Sequence, residues 1–122
     1  MDKKELQDRL KRHAIAIVRF SEELPEKSGF RTVRNQIVRC APSSAANYRA
    51  ACRAKSTADY INKMGIVEEE LDESLFFFEL VEALNPTFKN AIVQLYKEGN
   101  ELLSIIVASI TTIRSRQTVK KS

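Results

Sequence analysis

The densest group of potentially reactive side chains in this sequence is the block Glu68, Glu69, Glu70, Asp72 and Glu73. Carboxylates gathered this closely could hold a cation or move protons. A di-iron site in a helical bundle, however, needs a Glu-x-x-His pair on two of its helices. His13 is the single histidine of the chain and belongs to no such motif. The block therefore reads as a solvated or salt-bridged helix face. Glu69 and Glu73 stand four apart on it, so their repulsion asks for a cationic neighbour. His13 falls on an apolar seam, where a hydrogen-bonded core or interface histidine is the common outcome. No serine or cysteine has a recognisable general base nearby, and the G-x-x-x-x-G-K and G-x-G-x-x-G phosphate loops are absent. Cys40 and Cys52, if they share a helix, are roughly 18 Å apart, too far to be bridged. They read as buried thiols. The expectation is a protein without catalytic residues, metal or cofactor.

The cations are more informative. From Phe30 to Lys55 there are six basic residues and no acid, namely Arg31, Arg34, Arg39, Arg49, Arg53 and Lys55. From Ser56 to Asn85 there are eight acids and one base, and from Pro86 onward six bases face two acids. The net charge of +4 is mild, but this distribution is not. Five guanidinium groups on one arc could track the phosphates of a nucleic acid, with affinity falling steeply as salt rises. The same arc could instead be consumed by Glu69, Asp72 and Glu73 of its own or another subunit. No aromatic residues are interleaved for stacking on bases, so shape or backbone recognition of a folded RNA is the mode these residues suit.

The elements that must position these groups are helices. Leu6, Leu10, His13, Ile17, Phe20 and Leu24 alternate by four and three, the seam of an amphipathic first helix over residues 3–24. Pro25 to Gly29 forms a loop. A second helix begins near Phe30 and buries Phe30, Val33, Ile37, Cys40, Ser44, Tyr48 and Ala51, with the arginines opposite. Pro42 removes one backbone hydrogen bond, yet the wheel stays in phase across it, which predicts a helix kinked near Pro42 rather than two helices. Ser56 is an N-cap, with Asp59 three positions on. A third helix of about 28 residues follows, with Tyr60, Met64, Val67, Leu71, Ser74, Phe78 and Val81 as its seam. Ile61, Leu75, Phe77 and Leu84 widen that seam. Asn85-Pro86 ends it, and a fourth helix from about Thr87 carries Ile92, Leu95, Gly99, Leu102, Ile106, Ile110 and Ile113. Gly99 costs about 1 kcal/mol relative to Ala in mid-helix and marks a close crossing. The fold expected is all-α, an up-down-up-down antiparallel four-helix bundle over residues 1–116, with a basic C-terminal tail over residues 117–122. Phe76, Phe77 and Phe78 cannot all face one core, so one of them points outward, toward a subunit contact. The charged start of the chain lacks a signal-peptide core and no run is long enough to span a bilayer, which predicts a cytoplasmic protein with no membrane partner.

The segment from Arg39 through Cys40, Ala41, Pro42, Ser43, Ser44, Ala45, Ala46 and Asn47, followed by Lys55-Ser56 and Asp59-Tyr60-Ile61, resembles the 23S ribosomal RNA intervening-sequence protein family. Ser43, Asn47, Ser56, Asp59 and Glu73 fall in register with the family pattern, and Glu69 lies in its Glu-rich stretch. The chain carries Asn47-Tyr48-Arg49-Ala50 where Asn-Ile-Ala-Glu-Gly is commoner, so Ala50-Ala51 replaces the usual Glu-Gly. The resemblance covers almost the whole chain and implies a four-helix bundle assembled into a ring, a homopentamer. The similar accessory proteins of diversity-generating retroelements form such barrels and bind nucleic acid and a reverse transcriptase through a basic surface. No catalytic residues come with the resemblance. Two functions are thus expected: a non-enzymatic module that binds structured RNA or a ribonucleoprotein through the basic face of helix two, or a structural or protein–protein adaptor whose arginines are used up in salt bridges.

Overall fold

Four helices in antiparallel sequence build the molecule: α1 (Lys3–Ser21), α2 (Ser28–Ala51), α3 (Thr57–Leu84) and α4 (Lys89–Lys121), with a 3-10 turn at Pro86–Phe88 leading into α4. The computed structural model describes the backbone of residues 1–121 and the side chains of residues 1–118. Each helix packs on the next in sequence, and α1 also meets α4, which closes the bundle. Among the described residues no helix is long and apolar enough to cross a membrane.

The helix boundaries follow local chemistry. The Asp2 carboxylate accepts a hydrogen bond from the Glu5 N–H at 2.8 Å and starts α1. The Ser56 hydroxyl accepts from the Asp59 N–H at 3.0 Å and starts α3, the expected cap. The Asn85 side chain accepts from the Thr87 N–H at 3.1 Å, which turns the chain into the 3-10 segment before α4. Helix α1 ends at Ser21, three residues before its last seam residue, yet Leu24 is still buried. Helix α2 is unbroken through Pro42, as the in-phase wheel predicts. Helix α4 continues through Lys121, so residues 117–121 of the expected tail are helical, while Ser122 lies outside the described residues.

All the seam residues named on α1 and α2 are buried. On α3 the seam is buried from Met64 to Val81, and Tyr60 is half-buried at its start. Leu84 departs from expectation: it is 53% exposed. It is the last residue of α3, where the chain turns away before Pro86, and so has no helix beneath it. The core has two halves. At the α1–α2 turn, Phe20 packs edge-on against Phe78 and Phe88, each at 6.0 Å between ring centres. At the other end Leu10, Met64, Leu71, Leu102 and Ile106 are fully enclosed.

Gly99 sits where α4 crosses α1 and α3. A Cβ there would lie 3.0 Å from Leu75 Cδ2 and 3.1 Å from His13 Nε2. The close crossing expected at this glycine is present.

Candidate nucleic-acid interface

The six cations of α2 and its following turn do not act as one surface. Arg34 is folded into the structure. Its Nη2 donates to the carbonyls of Leu24 at 2.6 Å and Pro25 at 2.9 Å, and its Nε donates to that of Ser21 at 3.2 Å. The last carbonyls of a helix have no intrahelical partner and carry the negative end of its dipole. Ser21 is the last residue of α1, so Arg34 caps the helix there and ties down the loop after it through Leu24 and Pro25; its side chain is only 19% exposed.

Arg39 is paired across the α2–α3 interface. Its Nη1 reaches both oxygens of Glu70 at 3.3 Å, and its Nη2 donates to Glu73 at 2.7 Å. Gln36 Oε1 also accepts from it. The partners are Glu70 and Glu73, whereas the pairing expected from sequence named Glu69, Asp72 and Glu73. Glu69 and Asp72 are exposed and make no ion pair among the described residues. The difference is one of azimuth, because Glu70 and Glu73 lie on the side of α3 that faces α2.

Arg31, Arg49, Arg53 and Lys55 are exposed and form no ion pair among the described residues. Arg49 on the last turn of α2 and Arg53 in the turn just past it line a groove of about 520 Å³ between α2 and α1. Lys4 and Lys11 of α1 form its opposite wall, and Ala45 and Ala46 its small-residue floor. Asp8 is the carboxylate of this groove, and Lys4 Nζ holds it at 3.2 Å. Sequence reasoning missed Lys4 and Lys11. Their spacing of seven, two turns of one helix face, was the available signal. Lys55 stands at the far end of the bundle beside a second hollow of about 410 Å³, which Lys3 and Arg116 also border.

The remaining singled-out residues shape the backbone. Asn47 Nδ2 donates to the Ser43 carbonyl at 2.9 Å and to its hydroxyl at 3.1 Å within α2. Asp59 accepts from the Lys55 N–H at 3.4 Å and from Lys63 Nζ at 3.1 Å. The Lys63 hydrogen bond holds the Asp59 carboxyl below its usual range. Ser56 and Asp59 thus lock the α2–α3 turn and set how Arg53 and Lys55 emerge from it.

Of the groups with possible chemistry, none converges with others. No set of three or more His, Cys, Asp or Glu side chains is placed to share a metal ion among the described residues. Burial pushes the Cys40 thiol up to about 11, which leaves it protonated and unreactive. His13 is buried with Nε2 unpartnered, so the hydrogen bond expected of it is missing there. Desolvation lowers its pKa, with Glu98 opposing and Arg9 assisting. Beside it Arg9 clamps α1 to α4, with Nη2 at 2.6 Å from Glu98 and 2.9 Å from Glu101.

Comparison with known proteins agrees with the fold. The family model described as 23S rRNA-intervening sequence protein matches residues 3–108. A crystal structure from Bacteroides thetaiotaomicron, of a protein with unknown function from the S23 ribosomal protein family, superposes with a TM-score of 0.82 at 25% identity. That match covers 91% of this chain and 99% of the other. No curated protein matches the chain.

Proposed function

The chain belongs to the 23S rRNA-intervening sequence protein family, and from that premise we propose that it is a cytoplasmic, non-enzymatic module that binds structured RNA or a ribonucleoprotein as a ring-shaped homo-oligomer, a homopentamer. The observation that carries this reading is the α1–α2 groove, where Arg49, Arg53, Lys4 and Lys11 converge against a single carboxylate. Four cations around an open trough suit a run of phosphates. The floor is alanine and no aromatic ring lines it, so bases have nothing to stack on. A helical RNA backbone, read by shape, is the ligand class that fits. A ring would present one such groove per protomer and multiply a modest affinity.

Counterion release sets the expected signature. About three to four phosphate contacts, three where Lys11 is engaged in assembly, give a log–log salt slope of about −3 to −4, or roughly a fortyfold to a hundredfold loss of affinity from about 50 mM to about 200 mM salt. Anisotropy of a labelled RNA stem-loop at two salt concentrations reads this directly. Salt-insensitive binding, or none at low salt, would remove the support for the reading.

The adaptor reading has its own observations. Arg34 and Arg39 are occupied by carbonyls and carboxylates within the protomer, and Phe76 is 53% exposed. In that reading the partner is a protein, a reverse-transcriptase-like one being the case that the family resemblance suggests. Binding of that partner would persist when Arg49 and Arg53 are reversed in charge.

A further inference from the structure

RNA binding leaves most of two exposed ridges of this bundle without a role, Lys11 being the one residue that the basic groove shares with them. On the outer side of α3, Asp72, Phe76 and Glu79 follow at successive turns, all exposed. Phe76 is 53% exposed, and the Phe77 ring stands edge-on to it at 5.5 Å. Asp72 and Glu79 form no ion pair among the described residues, although Glu79 accepts a hydrogen bond from the Tyr96 hydroxyl at 3.2 Å.

On the outer side of α1, Lys11, Ile15 and Arg19 also follow at successive turns, again all exposed. Ile15 is 41% exposed. With Val18 it forms one wall of a groove of about 490 Å³ whose other wall is Pro42 and Ala45 of α2. Lys11 and Arg19 stand at its two ends and make no ion pair among the described residues, and Glu22 is the one carboxylate beside it. This apolar groove continues the basic one described above, since Lys11 and Ala45 border both.

The two ridges are complements. Lys11 and Arg19 are eight residues apart, roughly 12 Å along a helix, and Asp72 and Glu79 are seven apart, roughly 10.5 Å. One ridge reads positive, apolar, positive; the other reads negative, apolar, negative. We propose that Phe76 of one protomer seats in the apolar α1–α2 groove of a second copy, with Asp72 and Glu79 facing the second copy's Lys11 and Arg19. This rests on the self-assembly part of the reading above and assigns its contact.

A second copy is the occupant because the chain carries both halves of the match. An aromatic knob with a charged rim, entering an apolar groove, has the composition of an interface hot spot. The knob is on α3 and the groove on α1 and α2, so the contact is head-to-tail. Every protomer then offers one of each, which builds closed rings or open arrays rather than two-fold dimers. Arg49, Arg53 and Lys4 lie in the basic half of the trough, so assembly leaves them facing solvent in series.

The test uses two single variants, Phe76→Asp and Ile15→Asp, and analytical ultracentrifugation without RNA. Both positions are exposed, and circular dichroism checks that each variant keeps its helix content. The wild-type protein is expected to sediment as an oligomer, and each variant as a monomer, with self-association weakened by roughly thirtyfold or more. An equimolar mixture of the two is expected to give a dimer and nothing larger, because only one intact knob and one intact groove remain to meet. A wild-type protein that stays monomeric overturns both the assembly reading and this interface. An oligomer that survives Phe76→Asp, or a mixture that stays monomeric, overturns this interface while assembly through another surface stands.

Discussion

Replacing Arg34 by Met would separate the structural arginines from the binding ones. The substitution keeps an apolar stem of similar length and removes three hydrogen bonds to the carbonyls of Ser21, Leu24 and Pro25. Hydrogen bonds to a charged group contribute about 1.5–3 kcal/mol each, so the lower bound of the gross loss is about 4.5 kcal/mol. Water reaches the Pro25 carbonyl, which belongs to a half-buried residue, and recovers part of it, whereas Ser21 and Leu24 are buried. The net destabilisation expected is about 2–3 kcal/mol, or roughly 8–12 °C in Tm for a chain of this size. Urea titration followed by far-UV circular dichroism measures it at fixed protein concentration. Arg34→Lys keeps the charge but not the planar fork, so it should recover less than half of the loss. RNA affinity at a temperature where the variant is folded should be unchanged. A cost below about 0.5 kcal/mol, the range of an ordinary surface substitution, would refute the capping role. So would a loss of RNA affinity equal to that of an Arg49 variant.

Gly99→Ala should destabilise the bundle by about 1 kcal/mol, because an overpacking cost of about 1–3 kcal/mol exceeds the helix-propensity gain of about 1 kcal/mol. The new methyl would press on Leu75 and His13, so a double-mutant cycle with His13→Ala should show coupling, and additivity would contradict the contact. His13 also predicts a pH dependence. Its folded pKa lies below the usual value through desolvation, with Glu98 raising it and Arg9 lowering it further. On acidification the unfolded chain takes up this proton first, so the full contribution is present above about pH 6.5. It is lost as pH falls toward the folded pKa, at up to about 1.4 kcal/mol per pH unit. Urea midpoints between about pH 7 and about pH 5 should slope less in His13→Gln than in the wild type.

Much of this was readable before the fold. Alternation by four and three placed His13, Ser44 and Ser74 in the core beside the aliphatic residues, and the structure buries all three. Wheel phase across Pro42 was enough to predict one helix in place of two. The third helix has its expected length because an N-cap serine and an Asn-Pro stop bound it chemically. What periodicity does not carry is the partner that each outward residue meets. Arg31, Arg34, Arg39, Arg49 and Arg53 share an arc on a wheel, yet two of the five are consumed by neighbouring elements. The fate of Arg34 depends on where α1 ends, which is set by a loop too irregular to read. The fate of Arg39 was closer to legible. It lies 15 residues before Ala54 and Glu70 lies 16 after it, so an antiparallel hairpin folded at that turn sets them side by side. Lys4 and Lys11 could not be assigned to a groove until the small residues Ala45 and Ala46 were known to face α1.

The claim that the basic α1–α2 groove receives an RNA backbone is tested most directly by reversing its charge in the assembled protein. Anisotropy of a labelled ribosomal RNA stem-loop should be compared between the wild type and the double variant Arg49→Glu, Arg53→Glu, once ultracentrifugation shows the two assemble alike. The account predicts salt-sensitive binding by the wild type and a loss of on the order of a hundredfold or more in the variant. Equal binding by both proteins would contradict it.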